Sequence, residues 1–157
     1  TPSGATAAAL ADLQAYHSTT NLWEIVAEGA RECLTTLRRQ PFKLIVVSNA
    51  NGRLHALLDR LGLTSYFDVV VDSFVERVEK PDPRLFQLAL ARAGAEPGAT
   101  LHIGDLYHVD VVGARAAGMH PLLVDTGDLY GDADCARVRS VREVPRICSA
   151  MCSPSFR

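Results

Sequence analysis

Apolar positions along the chain alternate between two rhythms, short continuous runs and stripes spaced three or four residues apart, and this alternation predicts strands interleaved with helices. Leu10, Leu13 and Tyr16 recur at helical spacing and suit a short amphipathic helix. From Asn21 to Gln40 a longer helix is predicted, because Leu22, Val26, Ala30, Cys33, Leu34 and Leu37 line one stripe while Glu24, Glu28, Arg31, Glu32 and Arg38 fall mostly outside it. Asn21 stands in the cap position, Glu24 follows at capping-box spacing, and Pro41 ends the pattern. Phe42 to Val47 is apolar except for Lys43, as expected of a strand covered on both faces in a parallel sheet.

The pattern then repeats. Arg53 to Leu61 reads as a helix burying Leu54, Leu57, Leu58 and Leu61, with Gly62 at its C-terminal stop. Phe67 to Val71 is the next strand, Pro81 and Pro83 bracket a turn, and Arg84 to Ala93 is a helix closed by Gly94. Thr100 to Ile103 and Pro121 to Val124 are strands flanking a helix from Val109 to Gly118. Arg137 to Val144 fits an edge strand or a short helix, and Cys148 to Arg157 reads as a loose tail. Such alternation indicates parallel βαβ units joined right-handedly into an α/β/α sandwich.

Composition narrows the function. With 157 residues, 48% of them hydrophobic and 22% charged, the chain is expected to form one domain around one core. A net charge of -2 with interspersed signs gives no reason to expect nucleic acid or an anionic membrane as a partner. No run of roughly eighteen apolar residues and no basic start followed by an apolar stretch is present, so neither a membrane span nor a signal peptide is expected, and the expected location is cytoplasmic. Cys33, Cys135, Cys148 and Cys152 are too sparse for a disulfide scaffold and are expected as free thiols. The chain starts at Thr1 rather than Met, which suggests a piece of something longer.

Three groups of residues with chemical potential lie where strands are predicted to end. Ser48-Asn49-Ala50-Asn51-Gly52 follows the first strand; a turn there would aim backbone N–H groups and the Ser48 hydroxyl at one anion, although the same residues also suit a plain strand-to-helix turn. Lys80 precedes Pro81 and is held extended, able to neutralise phosphate oxygens or simply to sit in solvent beside Glu79. Gly104-Asp105 and Asp110 form an acidic loop suited to a hard cation such as magnesium, with Asp110 equally explicable as a first-turn acid favoured by the helix dipole. His102, inside a strand, fits a packed or hydrogen-bonded histidine better than a metal ligand, and His55, His108 and His120 lack partners at ligand spacing.

Taken in order, Ser48-Asn49, Lys80-Pro81 and Gly104-Asp105 with Asp110 resemble the second, third and fourth motifs of the haloacid dehalogenase-like (HAD) hydrolase superfamily. The phrases Val46-Val47-Ser48-Asn49-Ala50, Glu79-Lys80-Pro81-Asp82-Pro83 and Gly113-Ala114-Arg115-Ala116-Ala117-Gly118-Met119 look like the subfamily whose cap is inserted between the first two motifs. The likeness spans about Leu22 to Thr126. It implies a three-layer Rossmann-like core with a parallel sheet and magnesium-dependent phosphoryl transfer from small phosphate esters to water through an aspartyl-phosphate. By the same likeness, Ser48 and the Asn49 backbone would bind the phosphoryl oxygens, Lys80 would offset charge on the phospho-aspartate, Asp105 would hold Mg2+, and Asp110 would orient the acidic loop behind the cation.

One element of the family pattern is absent: no apolar strand ending in Asp-x-Asp-x-Thr, which would carry the nucleophile, occurs in the sequence. Against the family, residues 1–20 correspond to the end of a helical cap, 21–147 to a core lacking its central first strand, and 148–157 to a tail. Two function classes follow: a phosphatase whose nucleophile lies outside these residues, leaving this chain inactive alone, or a non-catalytic phosphate- and magnesium-binding or assembly protein. A receiver-like phosphate binder fits less well, because its acidic pair should stand near the chain start. In the family the absent strand lies between the strands ending at Val47 and Ile103, so these would either pair directly or be bridged by an upstream segment or a partner chain.

Overall fold

The protein is described here by a computed structural model covering residues 4–19 and 25–151. Its strands are β1 (Ile45–Ser48), β2 (Val69–Asp72), β3 (Leu101–Gly104), β4 (His120–Val124) and β5 (Ala136–Val138). The helices are α1 (Gly4–Thr19), α2 (Ala30–Arg38), α3 (Leu54–Arg60), the single turn α4 (Ser73–Glu76), α5 (Pro83–Ala93), α6 (Val112–Ala116) and α7 (Val144–Met151). All strand pairing is parallel, as βαβ connections require. Asp82 starts α5 by accepting the Arg84 N–H at 2.9 Å, Pro83 occupies the position where a missing N–H costs nothing, and Gly94 ends it in the left-handed conformation.

Side chains alternate across the strands and separate two helical layers. Val46 and Val70 pack on Leu54 and Leu58 of α3 and on Leu34 of α2. Ile45, Val47, Val69 and Val71 face Leu85 and Ala89 of α5. Leu101 and Ile103 pack with Cys33, Leu37, Leu122 and Val144 on the α2 and α7 side. Phe86 and Leu90 of α5 pack with Ala114 and Ala117 beyond the opposite face. Helices α2 and α5 therefore each touch both halves of the strand layer.

Those halves are two sheets, β1-β2 and β3-β4-β5. Among the described residues no backbone hydrogen bond joins β1 to β3. Between them lies a slot of about 300 Å³ lined by Ile45, Val47, Leu101, Ile103, Leu37 and Ala89, among others. The consequence shows in burial: every residue of β1 and β3 is only half-buried, whereas Val71 of β2 and Leu123 of β4 are fully buried. The His120 N–H donates to the Thr100 carbonyl at 3.0 Å, and Pro121, opposite His102, has no N–H to donate. Alternate residues of a parallel strand turn their polar backbone groups to the same side. His102 and Gly104 therefore face β4 with their backbone groups, while those of Leu101 and Ile103 face the slot.

Several predicted boundaries move. The helix expected over 21–40 begins at Ala30, because Gly29, at φ 80°, takes a left-handed conformation that breaks the run. Its predicted cap Asn21, its partner Glu24 and the stripe residue Leu22 lie outside the described residues. The helix expected from Val109 opens instead with a π-turn, Tyr107–Val111, before α6. The segment around Arg137 supplies both alternatives, β5 and a short turn at Val141–Glu143, and residues 148–151 of the expected tail continue α7. Cys33 and Cys135 carry free thiols, and Cys152 lies outside the described residues. No helix among the described residues is long and apolar enough to cross a membrane.

Candidate active site

The predicted site residues lie at the carboxyl ends of β1 and β3 and on the turn that leads into α5, and the bonds between these loops draw them to one edge of the molecule. The loop after β1 takes its shape from the end of β2. Buried Asp72 accepts the Gly52 and Leu54 N–H groups, each at 3.2 Å, and the Phe74 N–H at 3.0 Å. The Ser73 hydroxyl accepts the Ala50 N–H at 3.0 Å. The Arg53 N–H is taken by the Asn51 side chain at 3.3 Å. Within this loop the Ala50 and Gly52 N–H groups are thus turned inward onto Ser73 and Asp72 rather than toward an anion. The Asn49 N–H makes no such bond among the described residues, and with the half-buried Ser48 hydroxyl it forms the part of the loop open to a ligand.

Lys80 is tied to this loop from two sides. Asn49 Nδ2 donates to the Lys80 carbonyl at 3.0 Å, and the Lys80 N–H donates to Asn49 Oδ1 at 2.7 Å. The Lys80-Pro81 peptide is cis. The side chain runs inward, only 12% exposed, and its ammonium donates to Asp110 Oδ1 at 2.7 Å. The solvated surface lysine beside Glu79 is thereby excluded.

Asp110 is the most heavily engaged carboxylate of the site. Its Oδ1 lies 3.0 Å from His102 Nε2, and its Oδ2 accepts the Leu106 N–H at 3.0 Å. Burial alone would raise this carboxyl, but donation from His102, Lys80 and the Leu106 N–H, together with the Lys80 charge, outweighs it and holds Asp110 well below the usual carboxylate range. The π-turn carries Asp110 inward, and Gly104 makes room for it: a Cβ on Gly104 would overlap the Asp110 carboxylate. Asp110 is therefore a buried ion-pair partner rather than a first-turn acid held by a helix dipole.

Asp105 stands differently, exposed at the mouth next to the end of β3. Among the described residues no group of three or more His, Cys, Asp or Glu side chains is placed to hold a metal ion. The donor set thus fits one side of a hard-cation site. Asp105 has a carboxylate free of hydrogen bonds within the described residues, while the oxygens of Asp110 are committed to three donors. His120 Nε2 lies 3.0 Å from the Gly98 carbonyl oxygen. Beside the site, an open recess of about 750 Å³ runs between the β1 loop and α4, with Phe74 at its rim.

Three contributors escape a reading of the sequence. Asp72 shapes the β1 loop, the Asn49 side chain clamps Lys80, and His102 joins the Asp110 cluster. A polar residue at the end of one apolar strand and a histidine inside another were the available signals, but neither names its partner, which lies across the fold.

Both the sequence and the fold have counterparts among known proteins. Residues 4–118 match the family described as haloacid dehalogenase-like hydrolase. The chain belongs to the haloacid dehalogenase-like hydrolases. It is 45% identical over 107 residues to haloacid dehalogenase-like hydrolase domain-containing protein 3 of Bos taurus, a match covering 68% of this chain and 42% of that protein. It is 34% identical over 100 residues to ribulose-1,5-bisphosphate 5-phosphatase of Halopiger xanaduensis, covering 63% of this chain and 42% of that one. The fold superposes on the crystal structure of a HAD phosphatase from Thermococcus onnurineus with a TM-score of 0.72 and 30% identity, covering 78% of this chain and 57% of that structure. The chain thus spans about two fifths of the length of these curated relatives.

Proposed function

We propose that these residues form the phosphate- and cation-binding part of a magnesium-dependent phosphatase acting on small phosphorylated metabolites through an aspartyl-phosphate. The observation that carries this reading is the bridge from Asn49 through Lys80 to Asp110, which draws three loops into one cradle and presents a single lysine ammonium inside it. Ser48 and the Asn49 N–H bind phosphoryl oxygens, and Lys80 offsets the negative charge that accumulates on them. Asp110 keeps Lys80 directed inward. Asp105 holds Mg2+, which when bound supplies positive charge against the phosphoryl group. Phosphoryl transfer needs chiefly positioning and electrostatic stabilisation, and these residues supply both. Phosphatases among the relatives support the substrate class.

The nucleophilic aspartate is assigned to a segment outside the 157 residues that lies between β1 and β3, where the slot and the outward-turned backbone groups of Leu101 and Ile103 offer a parallel strand its place. That segment is either upstream in the same polypeptide or part of a partner chain. Alone, the chain hydrolyses phosphate esters negligibly, since losing one essential catalytic group can cost orders of magnitude in rate. The absence of Asp-x-Asp-x-Thr also favours a second reading, a non-catalytic binder of phosphate and magnesium. Turnover of p-nitrophenyl phosphate separates the two. Activity should appear only when a segment ending in that motif is present and should vanish in Asp105→Ala, whereas turnover by residues 1–157 that survives Asp105→Ala places the site elsewhere.

A further inference from the structure

Nothing in the local pattern of β3 calls for a polar side chain at position 102. Leu101 and Ile103 pack toward α2, so alternation turns His102 toward α5, where its ring stands edge-on to Phe86 with centroids 4.8 Å apart. The side chain is only 10% exposed, a setting an aliphatic residue would fill without any polar group to satisfy. Instead Nε2 lies 3.0 Å from Asp110 Oδ1, the same oxygen that accepts the Lys80 ammonium at 2.7 Å. With the Leu106 N–H on Oδ2, three donors fix the carboxylate, and Gly104 lets it lie flat against the backbone.

We infer that His102 is a positioning residue: its Nε2–H holds the Asp110 carboxylate in place and thereby sets where the Lys80 ammonium points. An ionised carboxylate oxygen only accepts, so the ring must carry its proton on Nε2 for this bond to exist. Lys80 shares that oxygen with the ring, and any rotation of the carboxylate moves the ammonium with it. The inference rests on the reading of Lys80 as the cation facing the phosphoryl group, and its test separates the two.

Lys43 and Lys80 are the chain's only lysines, so trace acetylation followed by peptide mass spectrometry reads both in one molecule. In His102→Phe, which keeps a ring but loses the donor, Lys80 should acetylate at least about threefold faster, since a hydrogen bond to a charged group is lost. Lys43, bonded to the Ala93 carbonyl away from the cluster, should keep its rate. His102→Gln, whose amide can donate to the same oxygen, should bring Lys80 back toward the wild-type rate. Asp110→Asn calibrates the assay by removing the charge that holds Lys80. The inference is overturned if His102→Phe leaves Lys80 unchanged while Asp110→Asn speeds it, or if both lysines speed up together, which marks general loosening. If Asp110→Asn also leaves Lys80 unchanged, the Lys80-Asp110 pair and the reading of the site fall with it. Long-range 1H–15N NMR of the unmodified protein gives a second test without a variant: a proton on Nε2 supports the inference, and a proton on Nδ1 alone overturns it.

Discussion

Replacing Gly104 by alanine tests the site through a single added methyl group. Gly104 does not need a glycine-only backbone conformation, since its φ is not among the positive values. What it provides is space, because the new Cβ would overlap Asp110 Cγ, Oδ2 and Cβ, none of which belongs to a flexible tail. The carboxylate must shift, and with it go the contacts at 2.7 Å to Lys80 and at 3.0 Å to His102 and to the Leu106 N–H. Disrupting a buried, hydrogen-bonded ion pair costs about 3–5 kcal/mol. That is a large part of the ~5–15 kcal/mol that stabilises an ordinary domain. At about 2–4 °C per kcal/mol for a chain of this size, the melting temperature should fall by roughly 10 °C. Circular dichroism melts of Gly104→Ala and Gly98→Ala make the comparison, because a Cβ on Gly98 meets nothing within 4 Å. Gly98→Ala should melt within a degree or two of the parent, as an unconstrained surface substitution does. Equal melting temperatures for both variants would refute the close approach of Asp110 to the β3 backbone.

Two further outcomes follow from the same geometry. Because the folded-state Asp110 carboxyl is held below its ordinary value, its contribution to stability is present above about pH 4 and is lost as pH falls through the folded-state value. The difference in melting temperature between wild type and Asp110→Asn should therefore narrow as pH is lowered from about 5 toward 3, and a difference that widens on acidification contradicts the ion-pair assignment. In β3 the amides of Leu101 and Ile103 face the slot while those of His102 and Gly104 face β4. Hydrogen exchange should be faster at 101 and 103 by about tenfold or more, and uniform protection along the strand would show β1 and β3 to be bonded to each other.

The sequence announced the strands and the places where they stop, because both are written in local pattern: apolar runs, then Gly, Asn or Pro. Ser48 and Asp105 stand out for the same reason, as polar residues at the ends of apolar segments, and Lys80 stands out through the proline that follows it. The bonds that turn them into a site do not. Asn49 and Lys80 are 31 residues apart, and Lys80 and Asp110 are 30 apart, so no periodicity relates them. The inward turn of Asp110 depends on a π-turn that shifts the helical register by one residue, and helical spacing alone leaves Asp110 equally well explained as a first-turn acid. Gly29 misled the reading of α2 for a similar reason. A stripe continuous in hydrophobicity can be broken by one backbone conformation, and a hydrophobic pattern does not record φ.

The phosphate cradle can be measured by calorimetric titration of the 157-residue chain with inorganic phosphate in the presence of Mg2+. Weak binding is expected, in the millimolar range, for a cradle built from Ser48, the Asn49 N–H and Lys80 (~4 kcal/mol). Lys80→Ala should weaken that binding about tenfold or more, the effect of removing one hydrogen bond to a charged group. Phosphate affinity that is the same in wild type and Lys80→Ala would contradict it.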